Sequence, residues 1–228
     1  MNIQKFSLEN LMGITVTFSF VLVAAIFICP VALAETLQIK DQFGHPIENV
    51  VISFTTTETT ETNKVDVLTM DQIDKQFAPQ VLVVQKNQTV SFPNSDNIRH
   101  HLYSFSKPKP FEFRMFKGGE SKKLVFDQAG IVVLGCNIHD QMVGYIYVAD
   151  KEQTVMTDAQ GLAEVPAYGI ALKLWHANLS TNKMLRKDIQ LPLEYNDSPY
   201  PIVLTLLEDM VTPAQHTFKS KKFDRGNK

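Results

Sequence analysis

Short runs of apolar and β-branched residues, separated by turn residues, recur along the chain from residue 36 onwards. The runs are TLQIKD (36–41), NVVISF (49–54), VLVV (81–84), TVSF (89–92), HLYSF (101–105), KLVF (123–126), IVVL (131–134), YIYV (145–148), LAEVP (162–166), ALKLWHA (171–177), DIQLPL (188–193) and PIVLTL (201–206). Such runs, bounded by Gly, Pro, Asn and Asp, are typical of strands, and no long segment repeats with a helical period of 3.6. The pattern predicts an all-β fold of sandwich or barrel type. One candidate helical turn is DQIDKQ, residues 71–76.

The first 34 residues follow a different pattern. Lys5 precedes an apolar stretch from Leu11 to Cys29, and the sequence ALA at 32–34 is an AxA-type cleavage signal. This arrangement is typical of a secretory signal peptide. We therefore expect residues 1–34 to be removed and the mature chain to be periplasmic. The alternative is an uncleaved membrane anchor, because the apolar run is long for a signal peptide.

Charge and cysteine content narrow the function. The chain has 22 basic and 24 acidic residues, a net charge of −2, which argues against nucleic acid as the partner. Residues 211–228 end in the basic string FKSKKFDRGNK, which is typical of a disordered, solvated tail; a docking tail for an acidic partner is the alternative. After signal cleavage Cys136 is the one cysteine left. A lone thiol in an oxidising compartment is at risk of oxidation unless something such as a metal occupies it.

Cys136 lies in a cluster of metal-binding residue types. In GCNIHDQMVG (135–144), Cys136, His139 and Met142 are spaced three residues apart, and RHHL upstream supplies His100 and His101. A thiolate, two imidazoles and a thioether are the ligand set of a type 1 (blue) copper centre. Zinc is the alternative for Cys and His ligands, but zinc rarely recruits Met. The motif predicts one copper ion bound by Cys136, His139, Met142 and one of the two adjacent histidines.

These motifs resemble those of a cupredoxin. The resemblance lies in a strand ending in His, the GxVxLxC approach at 130–136, and a closing strand YIYV. The spacing CxxHxxM is similar to that of amicyanin in particular. The resemblance implies a Greek-key β-sandwich or barrel in which His100, Cys136 and His139 are equatorial ligands and Met142 is axial. His139 would lie nearest the surface, where electrons enter and leave.

The same resemblance leaves two roles open for His101. The family usually has His followed by Asn at the first ligand, which aligns His100 with the ligand and His101 with the Asn. That Asn commonly tethers the ligand loop by hydrogen bonding, so His101 is expected to do so. His101 is also the alternative ligand. Two residues depart from the family pattern, Gly135 before the Cys and Asp140 after His139, and they leave the reduction potential and the electron exit path open.

Over about residues 70–150 the sequence is similar to periplasmic plastocyanin-like proteins of methylamine-utilisation type. That similarity implies an electron carrier rather than an enzyme. The implied partner is a redox protein such as a c-type cytochrome or a periplasmic dehydrogenase. A membrane would be involved only if the signal segment stays uncleaved.

The segments on either side resemble the two halves of a carboxypeptidase-regulatory or transthyretin-like β-sandwich. The resemblance is carried by QIKDQFGHPIENVVISF near the amino end and TDAQGLAEVPAYGIALKLWH beginning at 157. Neither fragment is long enough to bury an independent core. We therefore expect residues 35–62 and 152–210 to form one smaller, discontinuous sandwich, with the copper-binding domain at 63–151 inserted into it.

Three functions follow from these expectations. The leading hypothesis is a periplasmic type 1 copper protein that carries single electrons between redox partners. The alternative is a non-redox module that binds or delivers copper in the bacterial envelope. The third is an interaction protein that binds no metal. Since no nucleophile, base and orienting residue occur together, an enzyme is not expected.

Overall fold

The computed structural model describes residues 34–55, 67–166 and 169–207. These residues form strands, turns and loops without any helix, so the predicted all-β class is confirmed. The strands, numbered in chain order, are β1 (Glu35–Lys40), β2 (Val51–Phe54), β3 (Val67–Thr69), β4 (Asp71–Ile73), β5 (Gln76–Ala78), β6 (Val81–Gln85), β7 (Gln88–Pro93), β8 (His100–Ser104), β9 (Phe111–Phe116), β10 (Ser121–Phe126), β11 (Gly130–Cys136), β12 (His139–Ala149), β13 (Gln153–Met156), β14 (Leu162–Val165), β15 (Ala171–Trp175), β16 (Arg186–Gln190) and β17 (Tyr200–Val203).

Several sequence expectations fall outside the described residues. They include the signal peptide apart from Ala34, the predicted boundary between residues 62 and 63, and the basic tail at 211–228. In the described part of the chain, no helix has the length and apolar character needed to cross a membrane. Signal cleavage and periplasmic location stay predictions.

The strands nearest the two ends of the described chain form one sandwich, which we call the flanking sandwich. One sheet has the order β14-β1-β17 and the other β13-β2-β15-β16. Apolar side chains from both sheets pack into one core, for example Leu37 of β1 and Leu174 of β15. Because β2 pairs with both β13 and β15, strands from before and after the intervening chain share a sheet. The family resemblance of this part and its limits at 35–62 and 152–210 stay predictions.

The intervening strands form a second sandwich, which we call the central sandwich. Its sheets have the orders β10-β7-β3 and β6-β12-β11-β8-β9. Phe92 of β7, Phe126 of β10 and Leu134 of β11 pack in its core. In the larger sheet β11 lies between β12 and β8, which brings the candidate ligands of three strands to one end of the sandwich. The domain limits of 63–151 stay a prediction.

Strand β12 is buried on both faces along residues 145–149. Ile146 and Val148 pack in the core of the central sandwich. Tyr145 and Tyr147 instead pack against Trp175 of the flanking sandwich, with ring centroids 5.6 Å and 6.1 Å from the indole. A strand covered on both faces has a continuous apolar sequence rather than an alternating one, which explains YIYVA. The strand that begins at His139 is therefore fixed between two cores.

The predicted helical turn at DQIDKQ, residues 71–76, is wrong. The segment forms a hairpin of β4 and β5 that turns at Asp74 and Lys75. Both turn residues have positive φ, 52° and 61°, the backbone sign that a type I′ hairpin turn requires. Their N–H groups donate to the carboxylate of Asp96 over 2.7 Å and 3.0 Å. A partner more than twenty residues away stabilises this turn, so the local pattern could not reveal it.

Candidate metal centre

The side chains of β8 alternate between the interior and the surface, and this alternation separates the two adjacent histidines. His100 is 0% exposed, as is Leu102 two residues further on. His101 is partly exposed, and its Nε2 lies 2.8 Å from Oε1 of Glu112 on β9. Neighbouring residues of a strand face opposite sides of the sheet, so the histidine that faces the interior is His100.

Cys136 ends β11 and His139 begins β12, and the two residues pair across a short turn. The Asn137 N–H in this turn donates a hydrogen bond of 3.1 Å to the main-chain oxygen of His101. His101 is expected to tether the ligand loop by hydrogen bonding, and its main-chain oxygen accepts this bond from the loop. Its imidazole faces Glu112 instead.

A bulge shapes the start of β12. Cys136 pairs with His139 and Gly135 pairs with Val143, so residues 140–142 have no counterpart on β11. Extra residues of this kind bend a strand and redirect its side chains. Met142 is 1% exposed and packs in the same core cluster as Cys136. His139 and Met142 are three residues apart on this strand. Because of the bulge, the Met142 thioether is buried and the His139 imidazole is half-buried.

Three of the predicted ligands converge. The Cys136 Sγ lies 3.6 Å from Nδ1 of His100 and 3.5 Å from Nδ1 of His139. The donor atoms of all three residues lie within 4.8 Å of one another, and the two imidazole centroids are 5.1 Å apart. Two ring nitrogens therefore face one sulfur atom. Since a thiol has only one proton, it cannot donate a hydrogen bond to both nitrogens at once.

These distances fit a shared metal ion. With metal–sulfur and metal–nitrogen bonds of about 2.3 Å and 2.0 Å and bond angles of about 110–120°, a sulfur and a nitrogen ligand lie about 3.5–3.7 Å apart. The two observed separations, 3.6 Å and 3.5 Å, fall in that range. The residues that could hold a metal are therefore His100, Cys136 and His139, with Met142 buried in the same cluster.

The sequence analysis missed one residue beside this cluster, Asp96. Its Oδ2 lies 2.7 Å from Nε2 of His100, and the two side chains are 11% and 0% exposed. Burial alone would raise the pKa of Asp96, but hydrogen bonds from His100 and from the N–H groups of Lys75 and Asp74 outweigh burial and lower that pKa. An ionised carboxylate can only accept hydrogen bonds, so Nε2 of His100 carries the proton. In the neutral form of the ring, Nδ1 then has a free lone pair on the side facing Cys136.

Tyr103 explains why glycine precedes Cys136. Gly135 pairs with Tyr103 across the sheet, and a Cβ at position 135 would lie 2.9 Å from both Cζ and the hydroxyl oxygen of that ring. Contacts so short do not occur between unstrained carbon atoms. The glycine at position 135 therefore makes room for an aromatic ring from the neighbouring strand.

A cleft of about 580 Å³ opens beside His139. It is lined by the bulge residues 140–142 and by the tip of the β4–β5 hairpin, including Lys75 and Phe77. Asp140 is exposed there, so a charge does lie next to the half-buried imidazole of His139. His100 and Cys136 are buried, and His139 is the cluster member at the solvent edge.

The other described histidines lie elsewhere. Nδ1 of His45 is 3.1 Å from Oδ2 of Asp41 on an exposed turn. Nδ1 of His176 accepts the N–H of Asn178 over 3.2 Å. Neither belongs to a group of potential metal donors in the described part of the chain. His216 lies outside the described residues.

Together the fold and the donor atoms define an all-β protein with a thiol and two imidazoles clustered at one end of a sandwich. No family model matches the chain, and no curated protein matches it. Among solved structures, part of the chain is similar to a copper-containing nitrite reductase from Thermus scotoductus SA-01, with 29% identity over 36% of this chain and a TM-score of 0.35. That similarity spans 22% of the nitrite reductase chain.

Two smaller proteins are similar over nearly their whole length. A mutant of amicyanin in its reduced state is 19% identical over 45% of this chain and 100% of its own, with a TM-score of 0.34. A purple cupredoxin from Nitrosopumilus maritimus is 20% identical over 36% of this chain and 98% of its own, with a TM-score of 0.32.

Proposed function

We propose that the chain is an exported type 1 copper protein that carries single electrons between redox partners in the periplasm. The observation that carries this proposal is the convergence of His100, Cys136 and His139, whose donor atoms lie within 4.8 Å of one another. In this proposal they bind one copper ion, with Met142 as the weak axial ligand. The fold supports it, because all four residues lie on the paired strands β8, β11 and β12.

The donor chemistry favours copper over zinc. Thiolate and thioether sulfur suit Cu(I), and imidazole suits both oxidation states, so a mixed set is typical of copper electron-transfer sites. Copper would supply a one-electron couple. A closed zinc site has four strong ligands from Cys, His, Asp or Glu. The donor group in the described residues contains three such side chains and a neighbouring Met.

The chain's own residues do three things for such a couple. The sheet fixes His100 and Cys136 on neighbouring strands, so their positions need to change little between oxidation states. The core around Leu102 and Leu134, both 0% exposed, excludes water from the buried side. His139 lies at the edge of the cleft, where a redox partner can approach it. The partner class that fits is a c-type cytochrome or a periplasmic dehydrogenase.

The test is copper binding by the purified mature chain, with variants of the cluster. Adding Cu(II) should give one ion per chain and an intense thiolate-to-copper charge-transfer band that reductant bleaches reversibly. Cys136→Ser should lose the band and most of the copper. His45→Ala is the matched control, because His45 lies on a turn of the flanking sandwich and should leave both unchanged.

Other outcomes would replace this proposal. A stoichiometric but colourless site that binds only Cu(I) would favour copper delivery. Equal copper in wild type and Cys136→Ser would show that the ligand assignment is wrong. A chain that binds no metal stoichiometrically would favour the interaction protein.

A further inference from the structure

Asp96 carries a further inference, which rests on the proposed function because it concerns the same site. The Oδ2 atom of Asp96 lies 2.7 Å from Nε2 of His100, while Nδ1 of the same ring faces Cys136. A histidine that binds a metal through one nitrogen commonly donates its other N–H to a carboxylate, a carbonyl or a water. Of these, a carboxylate is the acceptor that brings a full negative charge.

The surroundings of Asp96 fix its position. Its own N–H donates to Oδ1 of Asn94 over 3.1 Å, and the Asn94 amide donates in turn to the main-chain oxygens of Ile98 and Phe116. A Cβ at Gly118 would collide with the main-chain oxygen of Asp96. These hydrogen bonds limit the movement of the loop, and the carboxylate cannot swing away from His100 without breaking its bonds from the N–H groups of Asp74 and Lys75.

We propose that Asp96 is a positioning residue that sets the reduction potential of the copper site through His100. It does so in two ways. Its hydrogen bond keeps the proton on Nε2, so that the Nδ1 lone pair stays directed at the cluster. Its negative charge strengthens Nδ1 as a donor and favours the doubly charged Cu(II) over Cu(I). The carboxylate therefore lowers the reduction potential.

Asp96 also connects the buried ligand to the wall of the cleft. Its two oxygens accept the N–H groups of Asp74 and Lys75 at the tip of the β4–β5 hairpin, and that tip lines the cleft beside His139. A purely structural role for Asp96 would be to hold this hairpin. The test must therefore include measurements that hairpin stability alone does not change.

The main variant is Asp96→Asn, which can keep an oxygen toward His100 but removes the charge. We expect its Cu(II) affinity relative to Cu(I) to fall about 10–100-fold. At 59 mV per tenfold for a one-electron couple, the reduction potential should rise by about 60–120 mV. Asp96→Glu keeps the charge and should stay closer to the wild-type potential than Asp96→Asn does.

The chain offers a matched control in the adjacent histidine. Nε2 of His101 lies 2.8 Å from Oε1 of Glu112. This is again an imidazole beside a carboxylate, but on the other face of β8. Glu112→Gln removes one negative charge in the same way, but from a histidine outside the donor cluster and from a carboxylate that is 43% exposed. Since solvent screens such a charge, we expect a change in relative affinity of less than about threefold.

A measurement on the metal-free wild type covers the case in which Asp96→Asn does not fold. Nitrogen-15 spectra of the histidine rings should show His100 with its proton on Nε2 and an exchange-protected signal. A proton on Nδ1 would overturn the proposal, as would a copper-loaded Asp96→Asn whose potential moves no more than that of Glu112→Gln. If wild type forms no charge-transfer band, the proposed function fails instead, and the ring spectra alone decide whether Asp96 fixes His100.

Discussion

Replacing Gly135 with alanine tests whether the Tyr103 ring controls the backbone next to Cys136. The added Cβ would lie 2.9 Å from Cζ and 3.3 Å from Cε1 of that ring. Carbon atoms normally approach to about 3.5–4.0 Å, so strand and ring must separate by roughly half an ångström or more. Overpacking in a closed core costs about 1–3 kcal/mol, and here the partly exposed ring can shift towards solvent, so the cost falls in the lower half of that range, about 1–2 kcal/mol. The change of glycine to alanine within a strand by itself stabilises the folded state by about 0.5–1 kcal/mol.

The expected result is a change of sign between two backgrounds. In wild type, Gly135→Ala should lower the free energy of unfolding by up to about 1.5 kcal/mol. In Tyr103→Ala, where the ring is absent, the same substitution should raise it by about 0.5–1 kcal/mol. The coupling energy between the two positions is then about 1–2 kcal/mol, within the range typical of residues in contact.

Urea unfolding followed by circular dichroism measures all four free energies, and the copper charge-transfer band reports on Cys136. We expect Gly135→Ala to shift or weaken the band and Tyr103→Ala/Gly135→Ala to restore it in part. A coupling energy below about 0.5 kcal/mol, the usual error of additivity, would refute the steric explanation.

Further predictions concern the two sandwiches and the ligand set. Trp175→Ala should cost about 3–5 kcal/mol and make the copper band disappear at lower urea concentration, because the indole packs on the ligand strand; an unchanged midpoint would contradict the coupling of the sandwiches. Burial raises the pKa of Tyr147 to about 12, above its ordinary value of about 10, so the folded chain resists an ionisation that the unfolded chain undergoes. The free energy of unfolding should therefore fall by about 2–3 kcal/mol as pH rises from about 10 to 12. Unfolding measured across that range should show no such loss in Tyr147→Phe, and the same pH dependence in both proteins would contradict this explanation. His101→Ala should keep the charge-transfer band and His100→Ala should lose it, and the reverse result would exchange their roles. Met142→Leu replaces the axial thioether with a hydrocarbon. Although sulfur suits Cu(I), the loss of a donor and the more apolar surroundings destabilise the doubly charged Cu(II) more, so voltammetry should show a higher potential, and a lower one would argue against Met142 as axial ligand.

Short runs of apolar and β-branched residues were enough to predict most strands. The run IVVL and the run YIYV became β11 and β12, because both are long enough for burial to outweigh local alternatives. The strand limits were less predictable. β12 begins six residues before YIYV, at His139, since its first part is polar and contains a bulge that no periodicity describes.

In the candidate site, too, some residues could be predicted from local sequence and others could not. Cys136, His139 and Met142 lie close in sequence, so their spacing alone suggested a common site. The choice between His100 and His101 depended on which face of β8 is buried, and this follows from strand alternation once Leu102 is recognised as a core residue. Sequence reasoning used the resemblance for that choice, although the alternation BiBiB of β8 carries the same information.

Asp96 and the β4–β5 hairpin could not be predicted locally. The only sequence signal for Asp96 is its position four residues before His100, in the turn-rich string FPNSDN. Its interaction with Asp74 and Lys75 joins segments more than twenty residues apart. Tyr103 over Gly135 is likewise a contact across a sheet. In each case the deciding partner is close in space and distant in the chain.

The double burial of β12 has a practical consequence for isolating the proposed copper site. An excised central sandwich would lose Trp175 and present Ile131, Tyr145 and Tyr147 to water as one apolar, aromatic strip. Strips of this kind promote self-association. A minimal soluble fragment therefore has to replace those side chains with polar ones or retain both pieces of the surrounding sandwich.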